Sequence, residues 1–330
     1  MISNKYTRKF FSPAIALAAC LTAGISMQVA AVDEIHFLIP GGAGGGWDGT
    51  ARGTGEALTK SGLLKSASYE NMSGGGGGKA IAHIIETAGQ RSKDTLMVNS
   101  TPIVIRYLYK VFPQSFRDLT PIAATIGDYG AFVVKTDSKY KDFKQLMADF
   151  KKNASSVKFA GGSARGSMDH LVPAMVVKAA GDFPGRLRYI AYDGGGKAMA
   201  GLLSGEADVL STGLSEAISL AKAGEVRILA MTGDQRSDGA PDVPTVKEMG
   251  IDTTFVNWRG FFAEPGISDA KKAEYVALLK KMYDTPEWET VRARYGWSEN
   301  FKPGAQFVSF LENQEIIIKE LLGELGFLKK

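Results

Sequence analysis

Residues 34–60, EIHFLIPGGAGGGWDGTARGTGEALTK, begin as a short apolar run, break into glycines, and then resume apolar positions at helical spacing. The run predicts a buried strand, which Pro40 and the glycines end. Ala51, Gly55 and Leu58 then fall on one face of a helix. Because the first N–H groups of a helix have no partner within it and point into the turn, this pattern predicts a site for an anion.

The same order of strand, small-residue turn and helix recurs four more times along the chain. In an open α/β sheet such turns gather outside the carboxyl ends of the strands, where ligands bind. The repetition therefore favours an α/β fold with a crevice lined by several turns. The further turns are SGGGGGK at 73–79, GGSARGS at 161–167, DGGGK at 193–197 and STGLS at 211–215.

Strands and helices alternate over most of the chain, which predicts mostly parallel sheets with right-handed crossovers. After residue 269 the pattern is expected to be almost entirely helical, with Ser268 or Asp269 as the first N-cap. The first predicted units are strands at 34–39, 68–72 and 95–99 and helices at 48–60, 79–88 and 102–110.

The simplest architecture has two α/β lobes with the ligand in the crevice between them. Residues 32–131 and 255–330 would form the first lobe, and residues 132–254 would form the second. The two segments that cross between the lobes would act as a hinge.

The composition is that of an ordinary globular protein, with 45% hydrophobic and 22% charged residues among 330. The formal charge is +4, but three of the 39 basic residues, Lys5, Arg8 and Lys9, precede residue 32. The remainder is nearly neutral against 35 acidic residues. Nucleic-acid binding usually needs a basic face and is not expected, so any positive potential at the anion site must be local.

Residues 1–31 have the parts of an export signal: basic MISNKYTRKF, apolar FSPAIALAACLTAGISM and small-residue QVAA. We expect cleavage after Ala31 and export of the mature protein, because the apolar stretch is interrupted and short for a membrane span. Cys20, the single cysteine, lies in LAAC, which resembles a lipoprotein processing box. A lipid-anchored form beginning at Cys20 is therefore the alternative.

A dinucleotide-binding enzyme is the sharpest alternative function. Gly44, Gly46 and Gly49 satisfy G-x-G-x-x-G between a strand and a helix, and Glu70 stands near the position of a ribose-binding acid. Against it are the export signal, the bulky Trp47 inside the turn, and the four further turns. A Rossmann-type NAD(P)-dependent oxidoreductase is thus the alternative to a binding protein.

Other catalytic or metal chemistry finds little support. The second glycine run fails the phosphate-loop pattern at both ends, so Lys79 either approaches an anion or is solvated. His36, His83 and His170 occur singly, without ligands at metal spacing, which favours structural or solvated roles. We expect no catalytic residue, no metal and no cofactor.

The turn GGSARGSMDH is the most informative part of the second lobe. Gly162 and Gly166 permit close backbone approach, and the hydroxyls of Ser163 and Ser167 can donate hydrogen bonds. Arg165 suits a bidentate contact with a carboxylate, and the alternative for it is a surface salt bridge.

The remaining candidates follow other strands. Asp193 either caps the next helix or accepts a ligand hydroxyl. Trp47 and Trp258 either wall the crevice or pack in the core. The complete set of candidate ligand-binding residues is Gly44, Gly45, Gly46, Trp47, Asp48, Ser100, Thr101, Gly162, Ser163, Arg165, Gly166, Ser167, Asp193 and Ser211.

Several segments, taken in order, resemble the extracytoplasmic solute receptors of tripartite tricarboxylate transporters, also called Bug receptors. They are IPGGAGGGWDGTAR, YENMSGGGGGKA, FAGGSARGSMDH, IAYDGGGKAMAGLLSGEADV, AGEVRILAMTGDQRS, DVPTVKEMG and WRGFFAEPG. The resemblance implies a type II periplasmic binding protein fold whose two lobes close on a carboxylate. It also implies that backbone N–H groups and ordered water hold the ligand in the turns at 40–50 and 161–168.

The resemblance carries expectations about residues and partners as well. Gly162, Ser163 and Ser167 match the family's second-lobe binding turn, whereas Arg165 stands where the family often has a small or polar residue. GGGWD resembles receptors for citrate-like tricarboxylates, and other relatives bind dicarboxylates, amino acids or aromatic acids. We therefore expect a monomeric receptor that delivers a tri- or dicarboxylate to membrane permease subunits, with a signalling co-receptor left open.

Overall fold

The computed structural model describes residues 1–2, 32–91 and 94–328. The predicted export signal and Cys20 therefore lie outside the described residues. The strands are β1 (Glu34–Ile39), β2 (Ser66–Asn71), β3 (Thr95–Ser100), β4 (Thr120–Lys135), β5 (Lys158–Gly161), β6 (Arg188–Ala191), β7 (Val209–Gly213), β8 (Val226–Met231), β9 (Val256–Ala263) and β10 (Ser298–Pro303). The helices are α1 (Gly46–Lys60), α2 (Gly78–Glu86), α3 (Pro102–Leu108), α4 (Phe143–Lys152), α5 (Met168–Ala179), α6 (Gly195–Leu203), α7 (Leu214–Lys222), α8 (Asp269–Tyr283), α9 (Pro286–Tyr295) and α10 (Ala305–Glu324). The predicted α/β class is confirmed.

The strands form a mixed sheet in the order β2-β1-β3-β9-β4-β7-β5-β6, with β8 and β10 also paired to β4. The outer strands pair in parallel, β1 with β2 and β3, and β5 with β6 and β7. The central strands β4 and β9 run antiparallel to their partners. The prediction of mostly parallel pairing therefore fails in the centre, because β9 enters from the opposite direction and inserts between β3 and β4.

Strand β4 is long enough to belong to both halves of the sheet. Residues 120–129 pair with β9, whereas residues 130–135 pair with β7 and β8. This change of partners falls beside residue 131, where the sequence analysis places a lobe boundary. The division into two lobes itself stays a prediction.

The stretch after residue 269, expected to be almost entirely helical, also contains the strand β10. The segment SENFKP is polar and contains a proline, so its pattern is typical of a loop. Its extended conformation comes from antiparallel pairing with β4, where Ser298 lies opposite Gly127 and Pro303 opposite Ala123. The predicted N-cap Ser268 is in place, and its hydroxyl accepts a hydrogen bond from the N–H of Lys271 at 3.1 Å.

Buried apolar side chains in three clusters pack the helices on the sheet. In the first half, fully buried Phe37 on β1 meets Phe261 on β9 edge to face, with ring centroids 5.6 Å apart. Helices α1, α2, α3, α5, α6 and α7 each follow a strand directly, so their N-termini lie at the carboxyl ends of those strands.

None of the helices in the described ranges combines the length and the apolar character that a membrane crossing requires.

Candidate ligand-binding site

The turn between β1 and α1 presents main-chain N–H groups because no side chain caps the helix. Gly45 is the N-cap and makes no side-chain cap hydrogen bond. Asp48 instead folds back, and its Oδ2 accepts a hydrogen bond from the N–H of Gly44 at 3.0 Å. Its Oδ1 accepts from Arg52 Nε at 2.9 Å and from Asn71 Nδ2 at 3.0 Å. Asp48 therefore fixes the shape of the turn.

Two other glycine turns also lead into helices that lack a side-chain cap. Residues 74–77 all have positive φ, from 57° to 139°, and precede α2. Gly194, with φ of 107°, precedes α6. Glycine adopts positive φ at no steric cost, which explains why these turns carry no side chains. Within the described part of the chain, the result is a set of helix N-termini without a side-chain cap.

The turns of the two halves of the sheet approach each other through bare backbone. A methyl group added to Gly195 would lie 3.6 Å from the Cα of Gly45, and one added to Gly162 would lie 2.4 Å from the nitrogen of Gly195. A methyl group on Gly46 would lie 1.9 Å from Arg259 Nη2. A larger residue at Gly46 or Gly162 would displace the groups around it.

These turns enclose a cavity of about 490 Å³, which we call the cleft cavity. Such a volume is typical of small-molecule sites, which occupy roughly 300–1,000 Å³. Backbone from the glycine turns before α1, α2 and α6 contributes much of the lining. The helix dipoles of α1, α2 and α6 favour negative charge in this space.

Eight of the fourteen predicted ligand-binding residues line the cleft cavity. Trp47 forms part of its wall, with the indole Nε1 donating a hydrogen bond to Ser100 Oγ at 2.9 Å. Trp258, by contrast, is 1% exposed and belongs to the core. The eight residues are Gly45, Gly46, Trp47, Ser100, Gly162, Ser163, Ser167 and Asp193.

Four of the other predicted residues are not part of the cavity lining. Gly44 and Asp48 hold the first turn through the hydrogen bond described above. Thr101 and Ser211 are 1% exposed, and within the described ranges their hydroxyls have no hydrogen-bond partner.

The last two predicted residues, Arg165 and Gly166, line a second cavity of about 480 Å³ that adjoins the first. Arg165 Nη2 donates a hydrogen bond to the carbonyl of Tyr189 at 2.9 Å. Asp193 does not cap α6, whose N-cap is Gly194, and its exposed carboxylate lies 3.8 Å from Lys197 Nζ.

The sequence analysis missed a buried ion pair beside the cleft cavity. Arg259 is 2% exposed, and its Nη2 lies 2.7 Å from Asp128 Oδ2. Its Nη1 donates to Thr50 Oγ1 at 3.2 Å. Asp128 also accepts hydrogen bonds from the N–H and the hydroxyl of Ser215, at 3.1 and 2.6 Å. One ion pair thus connects β9, β4, α1 and α7.

Two further carboxyl groups of the cleft cavity have raised pKa values. Burial raises the pKa of Glu216 to about 7 and that of Asp169 to about 6, against the attraction of Arg259. Glu216 Oε1 lies 3.8 Å from Arg259 Nη2, which is closer to Asp128. These carboxyl groups therefore take up protons in the range between weakly acidic and neutral pH.

Arg106 reaches the cleft cavity from α3 and was also missed. It lines both cavities, and a methyl group added to Gly76 would lie 2.6 Å from its Cζ. Burial lowers the pKa of Arg106, but a guanidinium stays charged in proteins. Among the described residues it has no ion-pair partner, and its Nε has no hydrogen-bond partner.

A sequence signal for these arginines exists. Arg106 and Arg259 are single charges inside the segments PIVIRYL and VNWRGFFA, most of whose other residues are apolar. A charge in a buried element usually has a partner or a ligand.

The histidines and Lys79 have structural or solvent-exposed environments. His170 is buried, its Nδ1 accepts from the N–H of Gly166 at 2.9 Å, and burial lowers its pKa to about 4. His36 Nδ1 lies 3.0 Å from Ser68 Oγ. Lys79 is exposed. No group of three His, Cys, Asp or Glu side chains in the described part of the chain is placed to hold a metal ion.

The fold matches that of solved periplasmic binding proteins. The chain belongs to the family described as the tripartite tricarboxylate transporter family receptor, which matches residues 52–327. It is similar to a UPF0065 protein encoded in the tcbD-tcbE intergenic region of Pseudomonas sp. strain P51. The two are 26% identical over 257 residues, which cover 77% of this chain and 74% of the relative. The resemblance seen in the sequence is confirmed.

Solved structures show the same fold. The periplasmic binding protein BugD superposes with a TM-score of 0.79 at 22% identity, over 90% of this chain and 99% of BugD. MatC from Rhodopseudomonas palustris, with bound malate, gives 0.75 at 19% identity, over 88% and 99% of the two chains. Rpa4515 of R. palustris, with adipate, gives 0.77 at 19% identity, over 89% and 97%.

Family membership decides against the oxidoreductase, because the family consists of receptors and not of enzymes. Two glycines of the G-x-G-x-x-G match have other physical reasons: Gly44 has φ of +75°, and Gly46 leaves room for Arg259. A methyl group on Gly49 would make only an ordinary contact with the ring of Tyr295, at 3.6 Å.

We expect Arg259→Met to destabilise the protein by about 3–5 kcal/mol, because it leaves the Asp128 carboxylate buried without its cation. Adding Asp128→Asn removes that charge and should recover part of the loss. Urea denaturation of the two variants and the wild type measures both effects. Equal stability of the single and double variants would show that the ion pair does not hold these elements together.

We also expect a pH dependence from Glu216. Its folded-state pKa of about 7 lies above the ordinary value of 4.5, so the folded protein binds more protons between these values and stability falls as pH rises through them. The unfolding free energy measured between about pH 5 and pH 8 should decline less in Glu216→Gln than in the wild type. Glu320→Gln, on the exposed side of α10, is the control and should decline like the wild type. An unchanged decline in Glu216→Gln would contradict the assignment.

Proposed function

We propose that this protein captures a small di- or tricarboxylate, citrate-like in its charge, in the cleft cavity. It then delivers the acid unchanged to the membrane permease subunits of a tripartite tricarboxylate transporter. The cavity holds the ligand by contacts from both halves of the sheet, so binding and closure draw on the same free energy.

The observation that carries this proposal is the convergence of uncapped helix N-termini on one cavity. The turns before α1, α2 and α6 offer N–H groups without side-chain partners, and the dipoles of these helices add positive potential. A carboxylate satisfies such groups with charge-assisted hydrogen bonds. The hydroxyls of Ser100 and Ser163 stand in the same lining.

Family membership and the ligands of similar proteins support a carboxylate. The family is one of tricarboxylate transporter receptors, and the structural relatives MatC and Rpa4515 hold malate and adipate, which are both dicarboxylates. The choice of a tricarboxylate over a dicarboxylate rests on the GGGWD turn.

The same proposal covers the export of the protein, its processing and its oligomeric state. Residues 1–31 direct export and are removed after Ala31, and the mature receptor acts as a monomer in the periplasm. Lipid attachment at Cys20 is the alternative, and mass spectrometry of protein isolated from the membrane and periplasmic fractions separates the two.

Calorimetric titration of the mature protein with citrate, malate, adipate and succinate tests the function. We expect at least one of these acids to bind and to raise the apparent melting temperature by mass action. NAD and NADP should give no heat and no shift. Absence of binding heat and of a melting-temperature shift with every acid would contradict the proposal.

Ser163→Ala locates the binding within the cleft cavity. Ser163 lines the cavity, and its Oγ accepts a hydrogen bond from the N–H of Asp169 at 3.2 Å, which places the hydroxyl at the start of α5. A hydrogen bond from this hydroxyl to a carboxylate contributes about 1.5–3 kcal/mol, so the affinity for the bound acid should fall roughly 10- to 100-fold. Ser155→Ala, an exposed serine outside the cavity lining, should bind like the wild type. Equal affinities of the two variants would place the ligand elsewhere.

A further inference from the structure

We propose that the capture of an acid in the cleft cavity is coupled to the uptake of a proton from solvent by Glu216, which lines that cavity. The inference rests on the proposed function, because the charge that draws in the proton belongs to the captured carboxylate. Glu216 would be partly ionised in the free protein and protonated in the complex. The receptor would therefore take up the acid and a proton together, and its affinity would depend on pH.

Three carboxyl groups gather around the guanidinium of Arg259. Asp128 on β4 is its direct partner, with Oδ2 2.7 Å from Nη2, whereas Glu216 Oε1 on α7 lies 3.8 Å from the same nitrogen. Asp169 on α5 is 6% exposed, lines the cleft cavity with Glu216, and interacts with the same guanidinium. With all three carboxyl groups ionised, the cluster would carry two negative charges in excess.

Other groups near the cluster offset this excess only in part. Arg106 on α3 attracts Asp169, and its one charge would balance at most half of the excess. Tyr189, beside Asp169, is neutral because burial raises its pKa, and burial lowers the pKa of His170 to about 4. Asp193 adds a further, exposed carboxylate to the cavity lining.

The cations on the other elements packed against α7 have partners of their own. On the strands, Lys135 of β4 lies 3.6 Å from Asp137, and Arg227 of β8 donates to backbone carbonyls. The cations of α1 and α9 pair with carboxylates on these two helices, and α9 also carries Glu287. The pairs are Arg52 with Asp48, Arg292 with Glu289, and both Lys60 and Arg294 with Glu56.

Glu216 titrates near neutral pH in the free protein. Burial raises its pKa to about 7, against the attraction of Arg259. A captured carboxylate adds like charge to the same cavity, and like charge nearby raises the pKa of a carboxyl group further. Once protonated, Glu216 no longer repels the acid, and its O–H can donate a hydrogen bond.

Proton linkage gives the direction of the effect on affinity. A group whose pKa rises on binding takes up a proton, so the affinity is highest below the pKa of the free protein and falls as pH rises above it. The affinity of the wild type for an acid should therefore fall roughly tenfold or more between about pH 6.5 and pH 8.5. Asp169, whose pKa burial raises to about 6, would add a smaller uptake at lower pH.

Calorimetric titration of the mature protein with malate, adipate, succinate and citrate at about pH 7.5 counts the protons. Each titration is run in HEPES and in Tris, which differ in their heats of ionisation, so the change in observed heat measures the protons taken up. Protons bound or released by the free acid itself, as with citrate, are measured separately and subtracted. We expect roughly half a proton to one proton for each acid bound.

Glu216→Gln removes the titrating group and keeps a neutral side chain of similar size. It should take up little or no proton near pH 7.5, and its affinity should change little above that pH. At about pH 8.5 it should bind the acid more tightly than the wild type, which a merely structural role of Glu216 would not produce. Glu320→Gln, exposed on α10, is the matched control and should behave like the wild type.

The outcomes separate this inference from the proposed function. A proton uptake near zero in the wild type, or an equal uptake in Glu216→Gln, overturns the coupling while carboxylate binding stands. A folded Glu216→Gln protein that gains no affinity over the wild type at about pH 8.5 also overturns it. Absence of binding with every acid overturns the proposed function and the coupling together. Circular dichroism melting identifies any unfolded variant, and the proton count of the wild type then decides alone.

Discussion

The buried ion pair between Arg259 and Asp128 is the interaction on which the cleft depends. Its guanidinium lies directly against Gly46, and its carboxylate accepts hydrogen bonds from the start of α7. Two charges are expensive to bury unless their geometry is good and their remaining hydrogen bonds are satisfied. Here the 2.7 Å contact and the two bonds from Ser215 meet those conditions. The first glycine turn can therefore lie close to the Arg259 guanidinium, because Asp128 already balances its charge.

The main chain and the side chains of the site contribute different electrostatic features. Uncapped helix N-termini provide a generic attraction for negative charge, which any carboxylate satisfies. The charged side chains differ from place to place. Glu216 and Asp169 make one region acidic, whereas Arg106, which has no ion-pair partner among the described residues, lines both cavities. Under the proposed function, affinity for acids as a class and discrimination among acids would thus arise from different parts of the structure.

The local parts of this arrangement are readable from the sequence. Each strand, glycine turn and helix is a contiguous pattern, so the turns before α1, α2, α5 and α6 and the α/β class follow from short-range rules. Eight of the fourteen candidate residues line the cleft cavity because the turns themselves line it. Pairing between distant segments is not local, and for that reason the antiparallel β4 and β9 and the polar strand β10 escape the pattern.

The charged residues of the site were harder to find for the same reason. Arg106 comes from the middle of α3, and Arg259 lies more than two hundred residues from its neighbour Gly46. No spacing rule connects them to a glycine turn. Arg165 was singled out because it sits inside such a turn, yet the fold directs its side chain to the second cavity.

The bare glycine turns have a consequence for how such a receptor diversifies. An amide hydrogen belongs to every residue except proline, so most point mutations cannot delete the groups that the turns before α1 and α6 present to an acid. Under the proposed function, a change of the preferred acid would therefore need only the exchange of a few side chains, such as Arg106 or Glu216, on an unchanged backbone. The main-chain N–H groups would stay in place, and the side chains around them could be replaced.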